Sequence, residues 1–315
     1  MKFQTQIFLE KKTPTIDYNS KVFLLGSCFA ENIADKFTYY KFQSKVNPLG
    51  VMFHPLAILD LLKRSQNRID YSEKDLFFSN GYWQSYSAHS RLNNASQIEI
   101  MSDLNSAVHS TKTQLMAASH VVLTFGTAWV YTHIKSQIIV ANCHKQPQKE
   151  FEKSILSIDK LNETFESIIS ILKSFNPEVT IIFTISPVRH LKDGFVENNH
   201  SKSQLFSALH PIVNNNENTH YFPSFELVMD ELRDYRFYKE DLIHPNQLAI
   251  DYIWEKFQST WIGSDTELTM NEVSRLQRGL GHKPFNPSSK AHIAFSSNLS
   301  KEVDALVCKY PFMKF

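Results

Sequence analysis

Four short apolar runs, separated by stretches with helical periodicity, constrain the fold of this chain most strongly. They begin at Val22, Val121, Val179 and His220. The runs are rich in β-branched and aromatic residues and do not alternate cleanly with polar ones, which is typical of strands buried on both faces. Strands that alternate with helices favour a parallel sheet covered on both sides. The sequence therefore predicts an α/β fold.

Helical periodicity fills the intervals between the runs. The clearest case is residues 159–174, where apolar side chains recur on one face and Asp159 is the expected N-cap. A further helix should follow Pro245, with Asn246 as its cap and Gly263 at its end. Shorter helical patterns cover 31–37, 57–64, 104–118 and 202–213.

The character of the sequence changes after Gly263. Two helical patterns there flank a loop rich in Pro and Ser, so we expect one domain over residues 1–263 and a helical extension over 264–315 that packs on it. An aromatic, alternating stretch at about 77–92 predicts a β-hairpin insertion that turns at Asn80 and Gly81.

Charge and cysteine content exclude several classes of protein. The formal net charge of +1 gives no electrostatic reason to expect binding to nucleic acid or to a membrane surface. Three cysteines make no disulfide framework and fit a reducing compartment. No signal-peptide pattern and no apolar run of membrane-spanning length is found. We expect a cytoplasmic protein without metal or cofactor, and the oligomeric state stays open.

Two polar motifs stand at positions suited to catalysis. Ser27 and Cys28 follow the first apolar run directly, at a predicted strand-to-helix corner. Asp241 and His244 lie three residues apart, just before the helix at Pro245. A carboxylate can fix the tautomer of such an imidazole and leave its other nitrogen free as a base toward a nucleophile. Without a nucleophile nearby, the same two residues would simply cap the helix.

The stretch "GSCFAENI", which starts at Gly26, resembles the signature of the GSCFA domain family, a member of the SGNH or GDSL-like hydrolase superfamily. Further blocks are similar to family blocks along nearly the whole chain. They are "NPLGVMFHP", "FGTAWVY", "NCHKQP", "SPVRHLKDGFVENNHSK", "DLIHPN" and the tail "HKPFNPSSKAH". The resemblance implies a three-layer α/β/α sandwich with a parallel sheet of flavodoxin-like topology. In such sheets sites lie at the carboxyl ends of the strands.

The resemblance also implies roles for individual residues. In the superfamily the first block is Gly, Asp, Ser, and laying it on this chain without a gap puts Cys28 at the nucleophile. Ser27 as an ordinary serine nucleophile, with Cys28 packed inward, remains the alternative. His244 would be the general base, oriented by Asp241. A thiol at Cys28 could pair with His244 as thiolate and imidazolium.

Oxyanion donors in the superfamily are the nucleophile N–H, a glycine N–H and an asparagine side chain. Gly50 is the natural glycine here. Gly126 opens the third block, but Ala128 stands where the asparagine would be, and loss of one donor costs about 3 kcal/mol of transition-state stabilisation. Asn142 could supply the missing amide, or Thr127 or Trp129 could donate instead. His144 could line the pocket, and Arg189 and His190 could bind an anionic or carbonyl group of the substrate.

The resulting expectation is an SGNH-like hydrolase or acyltransferase that acts on an ester of a small molecule or an O-acetylated carbohydrate. Two other readings stay open: a non-catalytic binding module on the same fold, favoured by Ala128, and an interaction protein whose helical tail docks a partner.

Overall fold

A computed structural model describes residues 4–315. Five parallel strands form its central sheet, in the order β10-β9-β5-β1-β2. The other strands form a two-stranded and a three-stranded antiparallel sheet. In chain order the strands are β1 (Lys21–Gly26), β2 (Gln43–Val46), β3 (Phe77–Ser79), β4 (Tyr82–Gln84), β5 (His120–Phe125), β6 (Trp129–His133), β7 (Ile138–Val140), β8 (Phe151–Ile155), β9 (Thr180–Ile185) and β10 (Thr219–Tyr221).

The helices connect these strands and cover both faces of the central sheet. Within residues 4–315 they are α1 (Cys28–Tyr39), α2 (Pro55–Asn67), α3 (Gln97–Ala117), α4 (Ile158–Phe175), α5 (Phe195–Asn215), α6 (Ser224–Glu226), α7 (Gln247–Trp261), α8 (Glu267–Leu280) and α9 (Lys290–Lys309). A π-helical turn, Leu227–Leu232, continues α6.

Alternate residues of the central strands enter two separate apolar cores, so the predicted three-layer α/β/α architecture is confirmed. Phe23 and Leu25 of β1 join the core made with α2, α3, α4 and α5. Val22 and Leu24 of the same strand join the core made with α1, α7 and α8. Successive side chains of a strand point to opposite faces, which explains why an unbroken apolar run was needed here.

The order of the strands places a topological switch point between β1 and β5. From β1 the chain passes through α1 to β2 on one side, and it later returns through α2 and α3 to β5 on the other side. Gly26 is paired with Thr124 in this sheet. The residues just after β1 and β5 therefore leave the sheet side by side, where ligands bind in open α/β sheets.

All four predicted strands are found, and the strands that were not predicted are β2, at an edge of the central sheet, and the three strands of a separate antiparallel sheet. β2 has the polar sequence QSKV and pairs only with β1 in the described part of the chain. Strands β6, β7 and β8 form an antiparallel sheet beside the site. The predicted hairpin at 77–92 is shorter than expected: β3 and β4 pair only as far as Gln84, with Asn80 and Gly81 at positive φ in the turn.

Several helices begin earlier than their apolar periodicity suggested, because apolar residues in their first turns, such as Phe195, Val196 and Ile98, are exposed and do not continue the buried stripe. α5 begins at Phe195 rather than at residue 202, and α3 at Gln97 rather than at 104. α4 is capped by Ser157, whose Oγ accepts the N–H of Lys160, and not by Asp159. Asn246 does cap α7 by accepting the N–H of Ala249.

The C-terminal helices pack on the sheet domain. Met270, Val273 and Leu276 of α8 lie in the same core as α1 and α7, and Leu299 and Leu306 of α9 join it. The division of the chain at residue 263 stays a prediction. Among residues 4–315, no helix is long and apolar enough to cross a bilayer.

Candidate active site

The site begins at the corner between β1 and α1. Gly26 has φ +136°, and a Cβ atom there would lie 2.1 Å from the carbonyl oxygen of Thr124. Only glycine fits a backbone of this conformation so close to the neighbouring strand. The next N–H, that of Ser27, donates to Thr124 O at 3.1 Å. The corner is thus held against β5.

Ser27 and Cys28 have different environments although they are adjacent. Ser27 is 0% exposed and serves as the N-cap of α1, its Oγ accepting the N–H of Phe29. Cys28 is the first residue of the helix and is partly exposed. Burial, and next the negative charge of Glu31, raise the pKa of the Cys28 thiol. The N–H groups of Phe29 and Cys28 and the ammonium of Lys202 act in the opposite direction.

The N–H of Cys28 is available for a ligand. It precedes the first intrahelical hydrogen bond of α1. The neighbouring N–H groups of Ser27, Phe29 and Ala30 all have oxygen acceptors within this corner. No oxygen within residues 4–315 is found to accept the N–H of Cys28.

Asp241 and His244 form a dyad on a tight turn before α7. The carboxylate accepts the N–H groups of Ile243 and His244 with Oδ1, each at 2.9 Å, and the imidazole Nδ1–H of His244 with Oδ2 at 2.7 Å. These hydrogen bonds, the two from the backbone first, lower the pKa of Asp241 to about 2. The carboxylate thus holds Nδ1 as the protonated nitrogen and leaves Nε2 as an acceptor.

The dyad and the nucleophile corner are not joined by a hydrogen bond. Nδ1 of His244 is bonded to Asp241, and no bond from Nε2 to Ser27 or Cys28 is found in the described residues. The charge of His244 does contribute, after burial and Lys202, to the lowered pKa of His190.

Gly126 brings a second imidazole to the end of β5. A Cβ atom at Gly126 would lie 2.8 Å from Nε2 of His190, so only glycine leaves room for this ring. The ring packs edge-on against Phe53, and the backbone N–H of His190 donates to Asn198 Oδ1 at 2.9 Å. Burial, and next the positive charge of Lys202, lower the pKa of His190 to about 4. His190 is therefore a neutral imidazole at neutral pH.

The glycine expected to donate to an oxyanion is already engaged. Gly50 has φ +82° and its N–H donates to Asn47 O at 2.8 Å. A Cβ there would lie 2.3 Å from Cβ of His89, so a turn and a close approach both require glycine. The N–H of Gly126 is also engaged, donating to Phe53 O at 2.8 Å.

The remaining predicted residues lie at the periphery. Asn142 Oδ1 accepts the N–H of His144, and His144 is buried with Nε2 bonded to Ser85 O at 2.7 Å. Arg189 donates to the hydroxyl of Tyr238 at 3.2 Å, next to the turn that carries the dyad. His144 thus anchors the segment after β4, whereas Asn142 lines a cavity.

This cavity, of about 320 Å³, adjoins the site at the end of β5. Thr127 and His190 contribute to its inner wall, and Ser27, Cys28 and His244 do not line it. Its other walls come from the three-stranded sheet and include Trp129, Asn142 and Cys143, among others. A larger groove of about 810 Å³ between α2 and β7 contains none of the predicted site residues.

Sequence reasoning missed Lys202. Its side chain is 2% exposed, and Nζ donates to Gly126 O at 2.7 Å and to Ser186 O at 2.6 Å. The helical pattern does indicate that Lys202 is buried, since it lies on the same face of α5 as Leu205, Leu209 and Ile212. Among residues 4–315, no group of three His, Cys, Asp or Glu side chains could hold a metal ion.

Comparison with known proteins supports the resemblance seen in the motifs. A solved carbohydrate esterase of family 3 from Talaromyces cellulolyticus is similar at 9% identity, with a TM-score of 0.34, over 76% of this chain and 94% of that one. No curated protein matches the sequence. The model of the GSCFA family matches residues 21–257, and that of the C-terminal domain of GSCFA proteins matches residues 273–315. The chain therefore belongs to the GSCFA family.

Proposed function

We propose that the protein is an ester hydrolase or acyltransferase in which Cys28 is the nucleophile. The observation that carries the proposal is the contrast at the β1–α1 corner. Ser27 is fully buried and used as a helix cap, whereas Cys28 is partly exposed, with its N–H uncommitted at the switch point of the sheet. A nucleophile whose own N–H faces the reacting carbonyl can stabilise the oxyanion that it creates.

In the proposed reaction, Nε2 of His244 takes the proton of the Cys28 thiol as sulfur attacks the ester carbonyl carbon. The C–O bond then breaks, and the leaving oxygen receives that proton from Nε2. A thioester at Cys28 remains, and water or an acceptor hydroxyl attacks its carbonyl carbon while Nε2 of His244 removes a proton. The C–S bond then breaks, the acid or the new ester leaves, and the Cys28 sulfur recovers the proton from Nε2. Asp241 keeps Nδ1 protonated throughout. In unliganded enzymes such contacts often tighten only when substrate binds.

His190 is the proposed substitute for the missing asparagine donor at Ala128. Its ring lies against Gly126 and lines the 320 Å³ cavity. It is neutral at pH 7, because its pKa is lowered to about 4, so one ring nitrogen carries a proton that can be donated.

The acyl or alcohol part of the substrate is proposed to occupy the adjoining cavity. The cavity has aromatic walls, and amide groups from Asn142 and Gln146 are at its rim. Such a lining suits a small polar ester, and an O-acetylated carbohydrate is the proposed substrate class. The cytoplasm is the proposed location, because the cysteines are free thiols and reducing compartments keep thiols in this form.

Turnover of p-nitrophenyl acetate by wild type and by Ser27→Ala, Cys28→Ala and His244→Ala tests the proposal. We expect Cys28→Ala and His244→Ala to lose turnover by about a hundredfold or more. Ser27→Ala should lose only the helix cap, about 1 kcal/mol of folding free energy, and keep its turnover. Cys308→Ala is the matched control, because Cys308 is a free, exposed thiol on α9 that has no assigned role in the site.

A non-catalytic binding module is the second candidate, and Ala128 in place of the expected asparagine favours it. Turnover at the buffer background in wild type and all three variants would support this candidate, and equal turnover in all four proteins would in either case end the nucleophile proposal. Loss of turnover in Ser27→Ala, with turnover retained in Cys28→Ala, would identify Ser27 as the nucleophile.

A further inference from the structure

Lys202 is a buried, ionisable amine that the proposed mechanism does not use. Its side chain, 2% exposed, makes no ion pair with a carboxylate in the part of the chain that the structure describes. Its hydrogen bonds go to two neutral oxygens, Gly126 O and Ser186 O. Burying a charged amine without an acidic partner is unfavourable, so packing alone does not explain why a lysine occupies this position.

The two oxygens place the ammonium at the active edge of the sheet. Gly126 follows β5 and Ser186 follows β9, so Nζ lies between the carboxyl ends of two neighbouring strands. Gly26 pairs with Thr124, and Cys28 and Gly126 each lie two residues beyond this pair. Since paired strands are about 4.8 Å apart, Cys28 and Gly126 are expected to lie side by side just beyond the carboxyl ends of β1 and β5. The ammonium thus lies beside the strand end that adjoins Cys28.

Two titratable groups are electrostatically coupled to Lys202: Cys28, at the start of α1, and His190, in the segment after β9. The ring of Phe225 lies 5.9 Å from Nζ. Burial lowers the pKa of Lys202 to about 7, and the charge of Cys28 acts against this shift. Lys202 in turn opposes the burial that raises the pKa of the thiol.

We propose that Lys202 is a positioning residue that supplies the counter-charge for the Cys28 thiolate while it clamps the ends of β5 and β9. The inference rests on the proposed function only in taking Cys28 as the reactive group. A neutral donor would satisfy Gly126 O and Ser186 O equally well. A cation stabilises a nearby thiolate more strongly than a neutral donor does, so the effects of charge and of hydrogen bonding can be separated by substitution.

The test measures alkylation of Cys28 by iodoacetamide as a function of pH in the full chain, quantified at the Cys28 peptide by mass spectrometry. Lys202→Gln removes the charge but keeps an N–H donor, and Lys202→Met removes both. In both variants we expect the midpoint of the pH profile to move upward and the rate at pH 7 to fall roughly tenfold. The exposed Cys308 is an internal reference, whose rate should not change.

A purely structural role gives a different result. Loss of the clamp without an electrostatic effect would leave the midpoint unchanged or would raise the alkylation rate at every pH as the corner loosens. Either result, in variants that retain the wild-type circular dichroism spectrum, overturns the proposal. The proposed ester chemistry is judged separately by p-nitrophenyl acetate turnover, so the two can fail independently.

A reciprocal measurement covers the case in which neither variant folds. The ¹⁵N resonance of the Lys202 amine is followed with pH in the otherwise wild-type chain and in Cys28→Ala. We expect the amine to titrate at lower pH in Cys28→Ala, because coupling between two titrating groups acts equally on both. An unchanged titration contradicts the proposal.

Discussion

Gly26→Ala is the substitution for which the geometry of the nucleophile corner makes the sharpest prediction. The backbone at φ +136° lies in a region that other residues adopt at a cost of about 1–3 kcal/mol. The new Cβ would also lie 2.1 Å from Thr124 O, and forcing strand and helix apart adds about 1–3 kcal/mol. The sum is a loss of about 2–6 kcal/mol, a large part of the stability of an ordinary domain.

Gly81→Ala is the matched control. Gly81 also has positive φ, at +81°, but a Cβ there would meet nothing within 4 Å. Backbone strain alone should cost about 1–2 kcal/mol. Urea unfolding of wild type and both variants gives the two free-energy changes directly. Equal destabilisation by the two substitutions would refute the claim that contact with β5 fixes the corner.

Three further predictions follow from single contacts. Glu31→Gln should lower the pKa of the Cys28 thiol, because the carboxylate raises it, and faster alkylation at pH 7 than in wild type checks this. Ser201→Ala should cost about 1–3 kcal/mol in urea unfolding, because it leaves the buried N–H of Ala128 without its 2.7 Å acceptor. Burial lowers the pKa of His54 to about 4, against 6.5 in the unfolded chain. The free energy of unfolding should therefore be highest above pH 6.5 and fall by about 3 kcal/mol between pH 6.5 and 4, because the unfolded chain takes up the proton first. Urea unfolding across that range should show a smaller fall in His54→Gln than in wild type.

The sequence was sufficient for the central sheet because burial on both faces demands unbroken apolar runs. Edge strands escape this demand. β2 needs few apolar residues because it lies at the rim of the sheet. β6 and β8 contain the sequences WVYTH and FEKSI, in which polar and apolar residues are mixed, and such segments resemble loops.

The candidate site was predictable where a motif is local and unpredictable where the fold brings distant residues together. The Asp241–His244 hydrogen bond follows from a spacing of three residues. The occupied N–H of Gly50 depends on the conformation of its own turn, which the sequence does not reveal. Lys202 reaches Gly126 across 76 residues, a contact that exists only once α5 has packed on the sheet.

The central claim is that Cys28 carries the acyl group. Its most direct test is peptide-resolved mass spectrometry of the full chain, quenched in acid during turnover of p-nitrophenyl acetate. The account predicts an acetyl group on Cys28 that hydroxylamine removes and that accumulates less in His244→Ala. Acetylation of Ser27 instead, or turnover that persists in Cys28→Ala without any modification of this corner, would contradict it.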